Sequence, residues 1–126
     1  MLPEVAALHR IGSLVRIPPS QDVPVSPRVQ RLMDTAPMRR LASISQLGMV
    51  SLVYPGATHS RFEHSLGVYH NALRLLARFS SDEEFSARVS PAMTEAFAIA
   101  AFIHDVGHWP LCHPIEYIGL QDLGEH

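Results

Sequence analysis

At 126 residues, with 47% apolar and 17% charged residues and a formal net charge of −2, the chain has a globular composition and room for one domain with one modest core; its charge is too small to draw DNA or an anionic membrane. A single cysteine, Cys112, forms no internal disulfide and points to a reducing cytoplasm. No apolar run approaches the roughly 18 residues of a membrane helix, and MLPEVAALHR is too short and too charged at its ends for a signal peptide.

Residues 11–27 read as non-helical. SLVRI suits a short strand, PPSQD a turn, and VPVS a returning edge segment limited by Pro24. Ser26 then caps a helix with Pro27 at its first position, running through RVQRLMDT and broken before Pro37. APMRRLASISQLG reads as a further helix that Gly48 closes. MVSLVYPGAT turns at Pro55-Gly56 and reads as a loop or short extended piece.

Ser60 and Glu63 match the S-x-x-E capping box, predicting a helix to Phe79. At about 100° per residue, Phe62, Leu66, Val68, Tyr69, Ala72, Leu73, Leu75, Leu76 and Phe79 share one broad face, and His64 lies at its edge. Glu63, His70, Asn71, Arg74 and Arg78 fall opposite. SSDEEFSARVS is a polar connection with room for one helical turn. Ser90 and Pro91 start a second strong helix, AMTEAFAIAAFIHD, apolar on all sides apart from Thr94 and Glu95 and therefore expected to be buried and central. His104 and Asp105 end it before Gly107. GHWPLCHP breaks regular structure, and IEYIGLQDLGEH reads as another helix interrupted at Gly119. The expected fold is mainly α, with at most a small N-terminal hairpin, in a single domain spanning residues 1–126.

Eight histidines are the one compositional oddity. An ionised Asp at the end of a buried helix costs several kcal/mol unless something compensates it. A metal ion does so directly, and neutral imidazoles complete its shell. His64, His104 and Asp105 therefore read as three metal ligands from two neighbouring helices, expected to converge within about 4 Å. The plainer alternatives are that Asp105 pairs with Arg61 or a histidine, that His64 caps a core edge, and that Arg61 is a first-turn surface charge. Trp109, Cys112 and Tyr54 read as packing residues.

His64 followed by His104-Asp105, set within QLG, VYPGATHSRFEHSLGV and HDVGHWPLCHPIE, resembles the HD-domain metal-dependent phosphohydrolases, in their deoxynucleoside triphosphate triphosphohydrolase (dGTPase-like) branch. The resemblance covers roughly residues 11–126. It implies an HD-type helical fold and a divalent ion (Mg, Mn, Fe, Zn or Ni) on His64, His104 and Asp105. It further implies that His108 is a catalytic histidine near the scissile phosphate and His113 a second one contacting phosphate. Glu116 stands where the family has an acid orienting a later histidine, for which His126 is the only downstream candidate. Arg61 matches an arginine gripping substrate phosphate, and Gln46 and Leu47 match residues lining the sugar and base pocket. These residue types suit phosphoryl chemistry: a cation neutralises developing charge and activates water, Arg61 and protonated histidines donate to non-bridging oxygens, and histidines near their natural pKa carry a proton to the leaving alkoxide.

The family places one more metal-binding Asp on a later helix, and its domain is far longer. Asp122 and Glu125, the only acids after Glu116, stand at no matching position. The chain is thus expected to be the N-terminal part of such a domain, weak or inactive by itself, with exposed apolar surface and homo-oligomers as consequences. The expected activity is conversion of a deoxynucleoside triphosphate to deoxynucleoside and triphosphate. The alternatives are a catalytically silent nucleotide-binding or regulatory module and a phosphodiesterase acting on another phosphoester.

Overall fold

A computed structural model describes residues 2–8, 13–17 and 21–111. The helix expected over IEYIGLQDLGEH lies outside them, as do Cys112, His113, Glu116 and His126. Among the described residues the architecture is mainly helical: α1 (Pro3–Ala6), a hairpin of β1 (Leu14–Ile17) and β2 (Gln21–Pro24), then α2 (Pro27–Met33), α3 (Ala36–Arg40), α4 (Arg61–Phe79), α5 (Glu83–Arg88) and α6 (Pro91–Ile103).

The hairpin pairs Leu14 with Pro24, Val15 with Val23, Arg16 with Asp22 and Ile17 with Gln21. Gln21 and Asp22, read from sequence as turn, are therefore strand residues, and the returning strand ends at Pro24 instead of continuing to Ser26. Arg16 grips Asp22 with two bonds of 2.7 and 3.0 Å, an exposed cross-strand pair that contributes little in water. Inward, Ile17 and Val23 are buried against α4.

Ser26 caps α2 as expected, accepting from the Val29 amide. Pro37, by contrast, does more than break a helix: it occupies the first turn of α3, where its missing N–H costs nothing. That helix is shorter than its sequence suggests, tightening into a 3₁₀ turn over Leu41–Ser43. Beyond it the backbone extends, because the Arg61 amide donates to the Ile44 carbonyl (2.8 Å), the Gln46 amide to His59 (3.1 Å), and Ser45 bridges Ser60. Tertiary pairing outcompetes local propensity here, and it ties residues 46–59 into a strap returning to the start of α4. Leu47, Met49, Val50, Leu52, Val53 and Tyr54 on that strap are all exposed. Tyr54 at 67% and Trp109 at 56% exposure are surface residues, contrary to the packing role read from sequence.

The capping box of α4 forms in full: the Glu63 amide donates to Ser60 Oγ (3.2 Å), and the Ser60 amide donates to Glu63 Oε2 (2.6 Å). Leu66, Tyr69, Ala72, Leu73 and Leu76 of the expected face are buried, whereas Leu75 and Phe79 are exposed. Phe79 stacks on Phe85 of α5, 5.3 Å between centroids.

α6 departs most from expectation. It packs along α4 through Ala98 and Phe102, with Phe102 tilted on Tyr69 at 5.4 Å. Its other side is open: Met93 is 56% and Phe97 44% exposed. An apolar circumference shows that a helix can be buried all round, but the number of elements packed on it sets how much is. Among the described residues α4 is its main partner.

The structure also buries Glu4, which no local pattern singles out. It accepts from Ser26 Oγ and takes a two-pronged grip from Arg28 (2.9 Å each), while Arg28 also pairs with Glu95. Burial pushes the Glu4 carboxyl up, but the bonds from Arg28 and Ser26 outweigh it and hold it below its ordinary 4.5. A lowered folded pKa stabilises above the unfolded value and loses that contribution as pH falls through the folded value. The Glu4→Gln variant is therefore expected to lose about 1–3 kcal/mol at neutral pH, with the gap to wild type narrowing below about pH 4.5 in urea unfolding followed across pH.

Candidate metal centre

Three elements deliver the cluster. The Ser60 cap starts α4 so that Arg61 and His64, one turn apart, face the end of α6. The helix of α6 stops at Ile103, leaving His104 and Asp105 on the turn that follows. Asp105 and Arg61 are both buried, at 4% and 2% exposure, and Arg61 Nη1 donates to Asp105 Oδ2 at 2.9 Å. Arg61 is thus no surface charge; the pairing of Asp105 with Arg61 occurs, and it occurs inside the cluster.

The other carboxylate oxygen faces imidazoles. Asp105 Oδ1 lies 3.4 Å from His104 Nε2 and 3.3 Å from His108 Nε2. His64 Nε2 lies 3.3 Å from His104 Nε2 and 4.0 Å from Asp105 Oδ2. One donor atom from each of His64, His104 and Asp105 fits within 4.8 Å of the others.

Donors about 2.1 Å from a central ion stand about 3.0–3.4 Å apart in octahedral or tetrahedral shells. The separations of His64 Nε2 from His104 Nε2 and of His104 Nε2 from Asp105 Oδ1 match that spacing; His64 stands farther from the carboxylate, 4.0 Å from the Oδ2 that Arg61 holds, and the three donors together lie within 4.8 Å, looser than the roughly 4 Å expected from sequence. Proton placement agrees. His104 Nδ1 donates to the Ala101 carbonyl at 3.0 Å, which turns the ring so that Nε2 faces His64 and Asp105. Burial, chiefly, pushes the His64 imidazole below its ordinary 6.5, with His104, His59 and Arg61 adding to the effect and Asp105 opposing it. The neutral form that results is the one that binds a metal. Two imidazoles and a carboxylate suit a first-row divalent ion.

Of the residues singled out from sequence, the structure gathers Arg61, His64, His104, Asp105 and His108 around one carboxylate. Gln46 and Leu47 lie at the start of the strap, outside this set; Leu47 is 44% exposed, and Gln46 Oε1 is buried without a hydrogen-bond partner among the described residues. Arg40 escaped sequence reading: its Nη2 donates to the backbone carbonyls of Val106 and His108, 66 and 68 residues away. Its one sequence signal was a basic residue in the last turn of a short helix, which is common.

No protein-family model matches the chain. It is 33% identical over 110 residues to an HD domain-containing protein of Acanthamoeba polyphaga mimivirus, covering 79% of this chain and 24% of that protein. It is 42% identical over 87 residues to the bovine deoxynucleoside triphosphate triphosphohydrolase SAMHD1, covering 69% of this chain and 15% of that enzyme. A crystal structure of a phosphohydrolase from Bacteroides thetaiotaomicron superposes with a TM-score of 0.74 at 29% identity, covering 83% of this chain and 26% of that one. The chain spans about a quarter or less of the length of these relatives.

Proposed function

Because this chain belongs to the HD-domain phosphohydrolases, we propose that it serves metal-dependent hydrolysis of a nucleotide phosphoester, with a deoxynucleoside triphosphate as substrate and deoxynucleoside plus triphosphate as products. The observation that carries this reading is the convergence of two imidazoles and a buried carboxylate beside a buried arginine and a further histidine. His64, His104 and Asp105 hold the ion, which when bound supplies charge neutralisation and an acidified water.

The chain's own residues do the rest. Arg61 holds Asp105 through Oδ2, leaving Oδ1 toward the histidines. From the same buried position it offers positive charge to a substrate phosphate. His108, held at Asp105 Oδ1, carries a proton at its ring for the leaving oxygen. His113 contacts phosphate, Glu116 orients His126, and Gln46 and Leu47 line the sugar and base pocket, as the family resemblance implies; the buried, unsatisfied Oε1 of Gln46 leaves an acceptor for a ligand donor.

No helix among the described residues is long and apolar enough to cross a membrane, and the single cysteine fits a reducing cytoplasm. The exposed apolar strap and the open side of α6 favour self-association. The test is turnover of the four deoxynucleoside triphosphates by a form extended to the length of the relatives, with and without chelator, reading products by phosphorus NMR. Chelator-sensitive release of intact triphosphate is expected. Release of monophosphate or pyrophosphate, or turnover indifferent to chelator, would exclude this substrate reading.

A further inference from the structure

Four residues, Asp105 to His108, connect the candidate ligands to the candidate proton carrier. The turn is closed locally by the Val106 amide on the Ile103 carbonyl (2.9 Å) and the His108 amide on the Asp105 carbonyl (3.1 Å). Gly107 lies exposed at its centre. Among the described residues a Cβ at Gly107 would meet nothing within 4 Å, and its φ is not left-handed, so none of them makes a steric demand for a glycine there. What glycine adds is backbone freedom, between Asp105 and an imidazole that sits 3.3 Å from its carboxylate.

The long-range restraint is Arg40. One of its nitrogens, Nη2, donates to the carbonyl before Gly107 (Val106, 3.0 Å) and to the carbonyl after it (His108, 2.8 Å). A charged donor is well matched to carbonyls at a helix's C-terminal end, where the partial charge is negative and partners run out. Arg40 itself ends α3, whose N-cap Thr35 donates through Oγ1 to the Leu32 carbonyl (2.8 Å) at the end of α2.

We propose that Arg40 is a positioning residue: it clamps the backbone on both sides of Gly107 and thereby fixes the His108 ring over Asp105, without touching substrate or the ligand atoms. The inference rests on the hydrolase reading above for its catalytic consequence, while the clamp itself is read independently of turnover.

The test is Arg40→Met in the full chain, which keeps length and removes the donors. Amide exchange at Val106, Gly107 and His108 is expected to rise about tenfold or more, with exchange at Leu73 unchanged. Mn²⁺ affinity should stay within about twofold, because His104 and Asp105 precede the clamped carbonyls. Turnover of a deoxynucleoside triphosphate should fall about tenfold or more in kcat, with KM within about twofold, since misplacement of a positioned group costs rate more than binding. Arg40→Lys should recover part of the loss. So should Gly107→Ala in the Arg40→Met background, by removing glycine's freedom where the space is open. Unchanged loop exchange with unchanged kcat overturns the proposal, as does a loss that tracks global unfolding and that Gly107→Ala does not relieve. A wild-type form extended to the length of the relatives that binds Mn²⁺ but turns over no triphosphate defeats the hydrolase reading alone. The clamp is then decided by loop exchange and by Mn²⁺ relaxation of the His108 ring, which must weaken in Arg40→Met.

Discussion

Replacing His104 with Ala, or Asp105 with Asn, is expected to abolish metal binding and hydrolysis together, with affinity for a divalent ion falling roughly 10²-fold or more. The two variants separate ligation from folding. Among the described residues His104 is partly exposed and bonds the Ala101 carbonyl and its cluster neighbours alone, so its loss should barely change stability. Asp105 is buried against Arg61. An alanine there would strip the arginine of its carboxylate and cost about 3–5 kcal/mol, the scale for removing one member of a buried ion pair. Asparagine keeps an acceptor for Arg61 Nη1 and loses the charge an ion needs. Calorimetric titration with Mn²⁺ beside urea unfolding distinguishes these effects. Asp105→Asn with wild-type affinity would remove Asp105 from the ligand set.

Replacing His108 with Ala should instead spare metal affinity and lower turnover by roughly 10²-fold or more, the usual scale for one general acid-base group. His108 touches Asp105 Oδ1 at 3.3 Å, the same oxygen that faces His104, so it stands next to the ion without being needed to hold it. Equal losses of affinity and of turnover would make His108 a ligand. Unchanged turnover would make it a spectator. The measurement is kcat at saturating metal, in a form of the enzyme long enough to be active.

The local signals in the sequence were legible because they act over one turn of helix. The Ser60–Glu63 box and the Ser90-Pro91 start fixed where α4 and α6 begin. That phasing put His64 at the edge of an apolar face and His104-Asp105 at a helix end. What it could not convey depends on partners far along the chain. The burial of Arg61 requires Asp105, 44 residues on. The early end of α3's helical run requires backbone bonds from Ile44 and Gln46 to Arg61 and His59. The one-sided burial of α6 follows from how few of the described elements pack on it, which its own apolar pattern does not encode. Short α5, held by Asp82 accepting from the Phe85 amide, was legible only as a turn, since six residues carry too little periodicity. His113, Glu116 and His126 stand outside the described residues, so their roles rest on the family resemblance.

The central claim is a divalent-ion site at His64, His104 and Asp105. Its most direct test is stepwise addition of Mn²⁺ to the metal-free, isotope-labelled chain, following paramagnetic broadening residue by residue. Saturable binding of one ion is expected, with the ring resonances of His64 and His104 lost first, His108 next, and no broadening in His104→Ala at the same concentrations. Broadening centred on the exposed acids Asp82, Glu83 and Glu84, or binding unchanged in His104→Ala, would contradict it.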